Sequence, residues 1–374
     1  MKKTLVALAA LAAASAFAQS TVGIKGTFDV SYANQKTTFG DSATRSVNSL
    51  LNSQTSTSNI TFFGTEDLGG GLKANFLTEQ DFNATSTASA NWGEATNTTA
   101  GNKSTLGGET YVGVSGAFGD IKLGAPNTPS LDVTGRTPFG TKVGSGFSDG
   151  TTSGLGIQGL GHVRESNSVV YATPEFAGLT VKVGVTGATT KFADTNRADA
   201  SVSAANAKRD IGFTYVNGPV KAVLANYNQQ DKYKQTHGYV AYTVGALTAT
   251  YGFSSEERLA ATDAATYNAV GSAATYAKTA AGQITLAKGK LSSSNVALAY
   301  KVGATSFLAN VGKLDDKSTT NYDGKISAVG VKYELSPRTS LNARLVKLTV
   351  DNTNSQAIQA KEQSTTLFGL VHSF

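Results

Sequence analysis

The residues with most chemistry to offer are four charges, Asp132, Arg136, Lys142 and Asp149, set in one glycine-rich stretch, residues 127–163. It reads NTPSLDVTGRTPFGTKVGSGFSDGTTSGLGIQGLGHV. It lacks strand-like alternation and far exceeds the usual connection length, which marks a functional or disordered loop. Charges of mixed sign on such a loop do not make an acid–base pair; they impose a field on whatever passes. Other candidates are weaker. Glu66 and Asp67 are neighbours in a strand, so their carboxylates point to opposite faces and read as a strand end at a turn. His162, His237 and His372 are scattered with no metal-ligand spacing, and read as solvated or interfacial imidazoles. No serine elbow or phosphate loop is present. The sequence therefore nominates no catalytic residue, metal site or cofactor.

The elements that must position the loop are strands. In residues 21–31, Val22, Ile24, Gly26, Phe28 and Val30 share one face, and Thr21, Gly23, Lys25, Thr27, Asp29 and Ser31 share the other. That period of two is a strand with an apolar and a polar face. It recurs at 59–65, 73–82, 110–115, 120–124, 167–172, 179–186, 211–216 and 220–227. Further on it returns at 238–244, 247–253, 295–302, 305–312, 325–335, 340–350 and 364–374, giving sixteen strands. Seven short turns alternate with longer polar connections such as 34–56, 84–106, 187–209 and 254–294. A further hairpin at 273–277 and 284–287 would make eighteen.

Composition sets the bounds. Lys2 and Lys3, the apolar run 4–14 and Ala16-Phe17-Ala18 form a secretory leader, residues 1–18, leaving a single domain over 19–374. Beyond it no apolar run reaches membrane-helix length, which does not exclude membrane strands. There are no cysteines, 6 prolines and 40 glycines. The formal charge is +6, or +4 once Lys2 and Lys3 are removed, and the basic residues form no patch for nucleic acid.

The fold class is all-β. Sixteen strands exceed a usual sandwich, while an even number joined by alternating short and long connections describes a transmembrane antiparallel barrel around an aqueous lumen. Aromatics near strand ends, Phe62, Tyr111, Tyr215, Tyr227, Tyr251, Tyr300, Tyr333 and Phe374, are expected outside as interfacial girdles. Residues 127–163 are then the third external loop, folded into the lumen as its constriction.

Five segments carry a family resemblance: GTEDLGGGLKANF at 64–76, YVGVSGAFGDIKLG at 111–124, RESNSVVYATPEFAGL at 164–179, YELSPRTSL at 333–341 and GLVHSF at 369–374. Together they resemble the general diffusion porins of Gram-negative bacteria, of β-proteobacterial type. The resemblance implies a homotrimer in outer-membrane lipid and lipopolysaccharide, passing ions and small hydrophilic solutes. It also implies that Phe374, with Phe368 and Leu370 on the same face, signals to the barrel-assembly machinery.

Such porins usually set arginines on the wall opposite an acidic third loop. Here the expected basic positions fall at Asn59, Phe63, Gly108, Ala125, Val170 and Val371. The charges left for the lumen wall are Lys25, Asp29, Glu79, Lys122, Arg164, Lys182, Lys301, Lys332 and Arg344. Anion preference therefore does not carry over, and a weakly selective or wider eyelet is expected. The alternatives are a channel selective for an acid or sugar, a non-conducting adhesin or scaffold barrel, and a barrel lipase for which no serine and histidine stand out.

Overall fold

The computed structural model describes residues 20–39, 42, 44–85, 108–146, 164–187, 207–229, 232–259, 262–263, 285–286, 289–317, 322–352 and 360–374. Residues 1–18, expected to be a leader, Asp149, His162 and residues 273–277 lie outside this set. In chain order the strands are β1 (Thr21–Phe39), β2 (Thr44–Asn52), β3 (Asn59–Gly69), β4 (Leu72–Asp81), β5 (Thr110–Gly116) and β6 (Gly119–Ala125). There follow β7 (Ser168–Ala172), β8 (Leu179–Thr186), β9 (Lys208–Asn217), β10 (Val220–Gln229), β11 (Tyr233–Val244) and β12 (Leu247–Arg258). The two-residue ladder β13 (Thr262–Asp263) with β14 (Thr285–Leu286) stands apart from the main sheet. The chain ends with β15 (Gly289–Val302), β16 (Thr305–Asp316), β17 (Tyr322–Ser336), β18 (Thr339–Asn352) and β19 (Ala360–Ser373).

These strands close on themselves. Neighbouring strands of the ring pair antiparallel throughout, and β1 meets β19 through the register Thr27↔Ser373 to Phe39↔Ala360. The sheet holds 17 strands among the described residues, yet the barrel has sixteen positions, because two strands share one. The early part of β1 pairs β3, from Thr21↔Thr65 to Thr27↔Asn59. Its later part pairs β2, from Val30↔Asn52 to Thr38↔Thr44. The connection 34–56, expected to be polar loop, thus holds a strand pair and runs into a six-residue break, 53–58. Sixteen, not eighteen, is the barrel count: in the 254–294 stretch, strands β12 and β15 pair directly.

The side-chain order is that of a membrane barrel turned inside out relative to a soluble core. On β1, Val22, Ile24, Phe28 and Tyr32 are exposed while Asp29 and Ser31 are buried. Outward apolar residues continue round the ring at Val112, Val240, Leu298, Val329, Leu345 and Phe368. No helix among the described residues is long and apolar enough to cross a membrane; a closed barrel, with every strand paired, is the other structure that can. Short turns use glycine where the backbone demands a left-handed residue: Gly245 (φ 56°) and Gly303 (φ 57°) face open space, so conformation and not crowding selects them. The wall is uneven in height, with β5, β6 and β7 only 7, 7 and 5 residues long against 15 in β17.

Candidate functional site

The third external loop leaves β6 and turns into the lumen. Its first described part is a 3-10 helix, Pro129–Arg136, opened by proline where the missing N–H costs nothing. It lies on the inner faces of β8 to β12. Val133 is buried among Val223, Ala225, Tyr239 and Ala241, all inward-facing. Wall glycines make room for this seat. A Cβ at Gly212 would stand 2.8 Å from Pro129 Cβ, one at Gly252 2.7 Å from Arg136 Nε, and one at Gly330 3.0 Å from the Phe139 ring. Farther along, Asn310 donates to the carbonyls of Gly144 and Ser145 at 3.0 and 3.1 Å. Phe139 and Val143 join an apolar cluster with Leu291, Leu314, Ile326, Ala328, Val346 and Leu348. The loop therefore clads one side of the barrel from β8 to β18.

Its charges land in different places. Asp132 accepts from Lys182 on β8 at 2.6 Å. Arg136 is fully buried, and its Nε donates to Asn295 Oδ1 at 2.7 Å while Asn295 Nδ2 donates back to the Arg136 carbonyl at 2.9 Å. Burial pushes its guanidinium down to about 9, opposed by nearby Glu256, so it stays protonated at neutral pH. Lys142 is half-buried and its charge acts on Asp81 of β4. Arg164 closes the loop's ends: Asn127 and Arg164 form a bridge, with Arg164 Nε donating to Asn127 Oδ1 at 2.9 Å and its Nη2 to Glu79 at 3.2 Å. Glu109 accepts from Asn127 N and Nδ2 at 3.0 and 2.9 Å.

The remaining wall residues are scattered along the bore. Lys25 lies over the Phe63 ring at 5.5 Å, and Lys122 over Tyr111 at 4.3 Å with Asp120 3.6 Å away. Lys301 and Lys332 both bind Glu334, at 2.9 and 3.2 Å, beside the short turns. Asp29 and Arg344 are 0% and 5% exposed. Asp29 accepts from the backbone of Thr55 and Ser56, and Arg344 Nη1 donates to the Val143 carbonyl at 2.6 Å. A charged partner makes each such bond worth about 1.5–3 kcal/mol. Of the positions where a basic residue was expected, Asn59 pairs between Thr27 and Asp81, and Val371 pairs with Asp29. Val170 is buried opposite Lys122. Ala125 pairs with Thr110, in line with Thr78 and the exposed Phe62, so it falls on the outward parity.

Glu79 and Asp81 of β4 gather with Glu109, just ahead of β5, within reach of Arg164 and of Lys142 on the loop. Asp81 and Glu109 were missed in the sequence, although Asp81 shares the parity of Glu79. Also missed were the Lys208–Glu165 ion pair and Asp210, which accepts from Ser130 N at 2.8 Å. Tyr111 and Tyr227, expected outside, point inward: Tyr227 shares the parity of Val223 and Ala225 and is 1% exposed. His237, expected to be solvated or interfacial, is fully buried on the same clad wall.

A closed barrel, apolar outside and polar within, whose lumen is narrowed by an infolded loop, defines a membrane-spanning channel. Comparison with known proteins narrows the class. The chain matches the Gram-negative porin family over residues 4–353. It is 28% identical to outer membrane porin protein 32 of Delftia acidovorans, covering 96% of this chain and 93% of that one. An outer membrane porin protein of Bordetella pertussis is 27% identical over 92% and 93% of the two chains. Among solved structures, the anion-selective porin from Comamonas acidovorans superposes with a TM-score of 0.66 at 21% identity, covering 95% of this chain and all of that one. The chain belongs to the Gram-negative porin family. It is a bacterial outer-membrane β-barrel channel for passive diffusion of ions and small hydrophilic solutes, and the relatives it matches are channels rather than enzymes.

Proposed function

We propose that this porin is a weakly ion-selective, non-enzymatic general channel whose eyelet lies between loop residues Asp132 and Lys142 and the wall, while the buried Arg136 anchors the loop. The observation that carries this reading is local charge neutralisation. Lys122, Arg164, Lys182, Lys208, Lys301 and Lys332 each sit within 4 Å of a carboxylate, and Arg344 and Asp29 are bonded to backbone. A porin gains strong selectivity from banks of like charge facing the lumen, and here the signs alternate. The loop-borne Lys142 acts on the wall acid Asp81, the reverse of the basic wall and acidic loop usual in the family. The Comamonas neighbour's anion selectivity is therefore not carried over.

A homotrimer completes the reading. Strands of 5 to 7 residues in β5, β6 and β7 fall short of the about 9–11 that a tilted strand needs to cross the hydrocarbon. That flank is supported by protein and not lipid. Residues 1–18 serve as the leader, 19–374 as the mature barrel, the strand ending at Phe374 as the assembly signal, and lipid with lipopolysaccharide as the surroundings. The test is reconstitution of the mature protein in planar bilayers and liposomes. Conductance steps in threes and swelling in neutral sugars are expected. An intact barrel that passes neither ions nor sugars contradicts the reading.

A further inference from the structure

The break between β2 and β3, residues 53–58, does not follow the wall. It forms a second inward strap, and a single carboxylate holds it. Asp29 Oδ2 accepts from Thr55 N at 2.6 Å, Thr55 Oγ1 at 3.0 Å and Ser56 N at 2.5 Å, while Oδ1 accepts from Ser31 Oγ at 3.2 Å. The strap's ends are tied as well: Ser53 N donates to the Asp29 carbonyl at 3.0 Å, and Ser58 Oγ accepts from Asp29 N at 2.9 Å. Ser53 itself takes a left-handed φ of 57°, a conformation the surrounding bonds must hold in place.

This strap reaches the third loop. Val143 N donates to the Gln54 carbonyl at 3.2 Å. Arg344, from β18, donates to the Val143 carbonyl at 2.6 Å and stands 3.5 Å from the Gln54 carbonyl, with its guanidinium 5.2 Å from the Phe139 ring centroid. Two segments 89 positions apart in sequence thus meet over one arginine. Just below lies a cavity of about 340 Å³ lined by Thr55, Ser56, Pro138, Asn342, Arg344 and Val371, among others.

We propose that Asp29 and Arg344 are positioning residues that set the bore of the channel by latching the strap to the tip of the third loop. They act through backbone amides and carbonyls, so their charges do not choose the ion. This rests on the channel reading above, and wild-type conductance checks that reading separately.

The test replaces the two residues singly in the full-length protein, Asp29→Ala and Arg344→Met, which remove charges of opposite sign. Single-channel conductance, the size limit for neutral polyethylene glycols and the reversal potential are read for each. If the latch sets the bore, both variants raise conductance and the size limit in the same direction, as widening a constriction does. Opposite shifts of reversal potential with an unchanged size limit overturn the proposal and make the pair selectivity charges. The chain has no cysteine, so Gln54→Cys with Val143→Cys gives an independent check in otherwise wild-type protein. Oxidation is expected to join the two nearly completely in the folded trimer. Failure of that crosslink shows the segments apart and also overturns the proposal.

Discussion

Two sides of one lumen are built on different rules. The side clad by the third loop, β8 to β18, offers glycines, apolar residues and amides: Gly212, Gly252 and Gly330, Val223 against the loop's Val133, and Asn295 and Asn310 bonded to loop backbone. The other side, open among the described residues, β3 to β6, carries charges instead: Glu79, Asp81, Glu109 and Lys122, each only partly buried. A buried wall can tolerate a charge only when partnered, so Arg136 and Arg344 serve the loop's attachment. A wetted wall carries charges at little expense, and these are the ones an ion meets. Counting lumen charges without asking which side they occupy therefore misstates the field.

Crowding the clad side should have the largest effect. Gly212→Val or Gly252→Val drives a side chain into Pro129 or Arg136, and overpacking of this kind destabilises by about 1–3 kcal/mol. Lower thermal stability of the trimer and a larger, noisier conductance are expected. The isosteric Thr65→Val on the open side should change neither; equal effects at both sites would erase the comparison. Next come the electrical variants. Lys142→Glu reverses a charge that faces Asp81 and should move the reversal potential toward cations, whereas Arg136→Met, sealed behind the loop, should leave it in place. A larger shift from Arg136→Met than from Lys142→Glu would place the passage on the wrong side.

Smaller effects sharpen the same contrast. Asn59→Arg restores a basic residue on the open wall, and a modest anion shift is expected because Asp81 in register beside it partly neutralises the new charge. The weakest is Asp132→Asn. Its ion pair with Lys182 is about one-third exposed on both sides, and such pairs contribute at most about 1 kcal/mol. A melting shift beyond that range would show the helix Pro129–Arg136 to hang on this bond.

How much was legible in the sequence follows the same division. Period-two alternation with tight turns marked all sixteen barrel positions, since lipid outside and water inside enforce the pattern strand by strand. The pattern fails where the loop covers the wall, because an inner face shielded from water accepts apolar side chains. That is why Tyr227 and His237 were misplaced. β2 escaped notice because TRSVNSLLN is polar enough to read as loop. The strap was invisible for another reason: Asp29, Gln54, Val143 and Arg344 are brought together by closure of the barrel, and nothing in their local spacing announces it. Asp29 and Arg344 were recognised as inward charges, yet their backbone partners were not.

The reversal potential of the wild-type trimer across a KCl gradient tests the central claim most directly. Alternating and locally paired charges in the passage predict a value close to zero, with conductance arriving in steps of three. A strongly anion-selective potential would contradict the account, since it would require Lys142, Lys25 and Lys122 to act as one uncompensated basic bank.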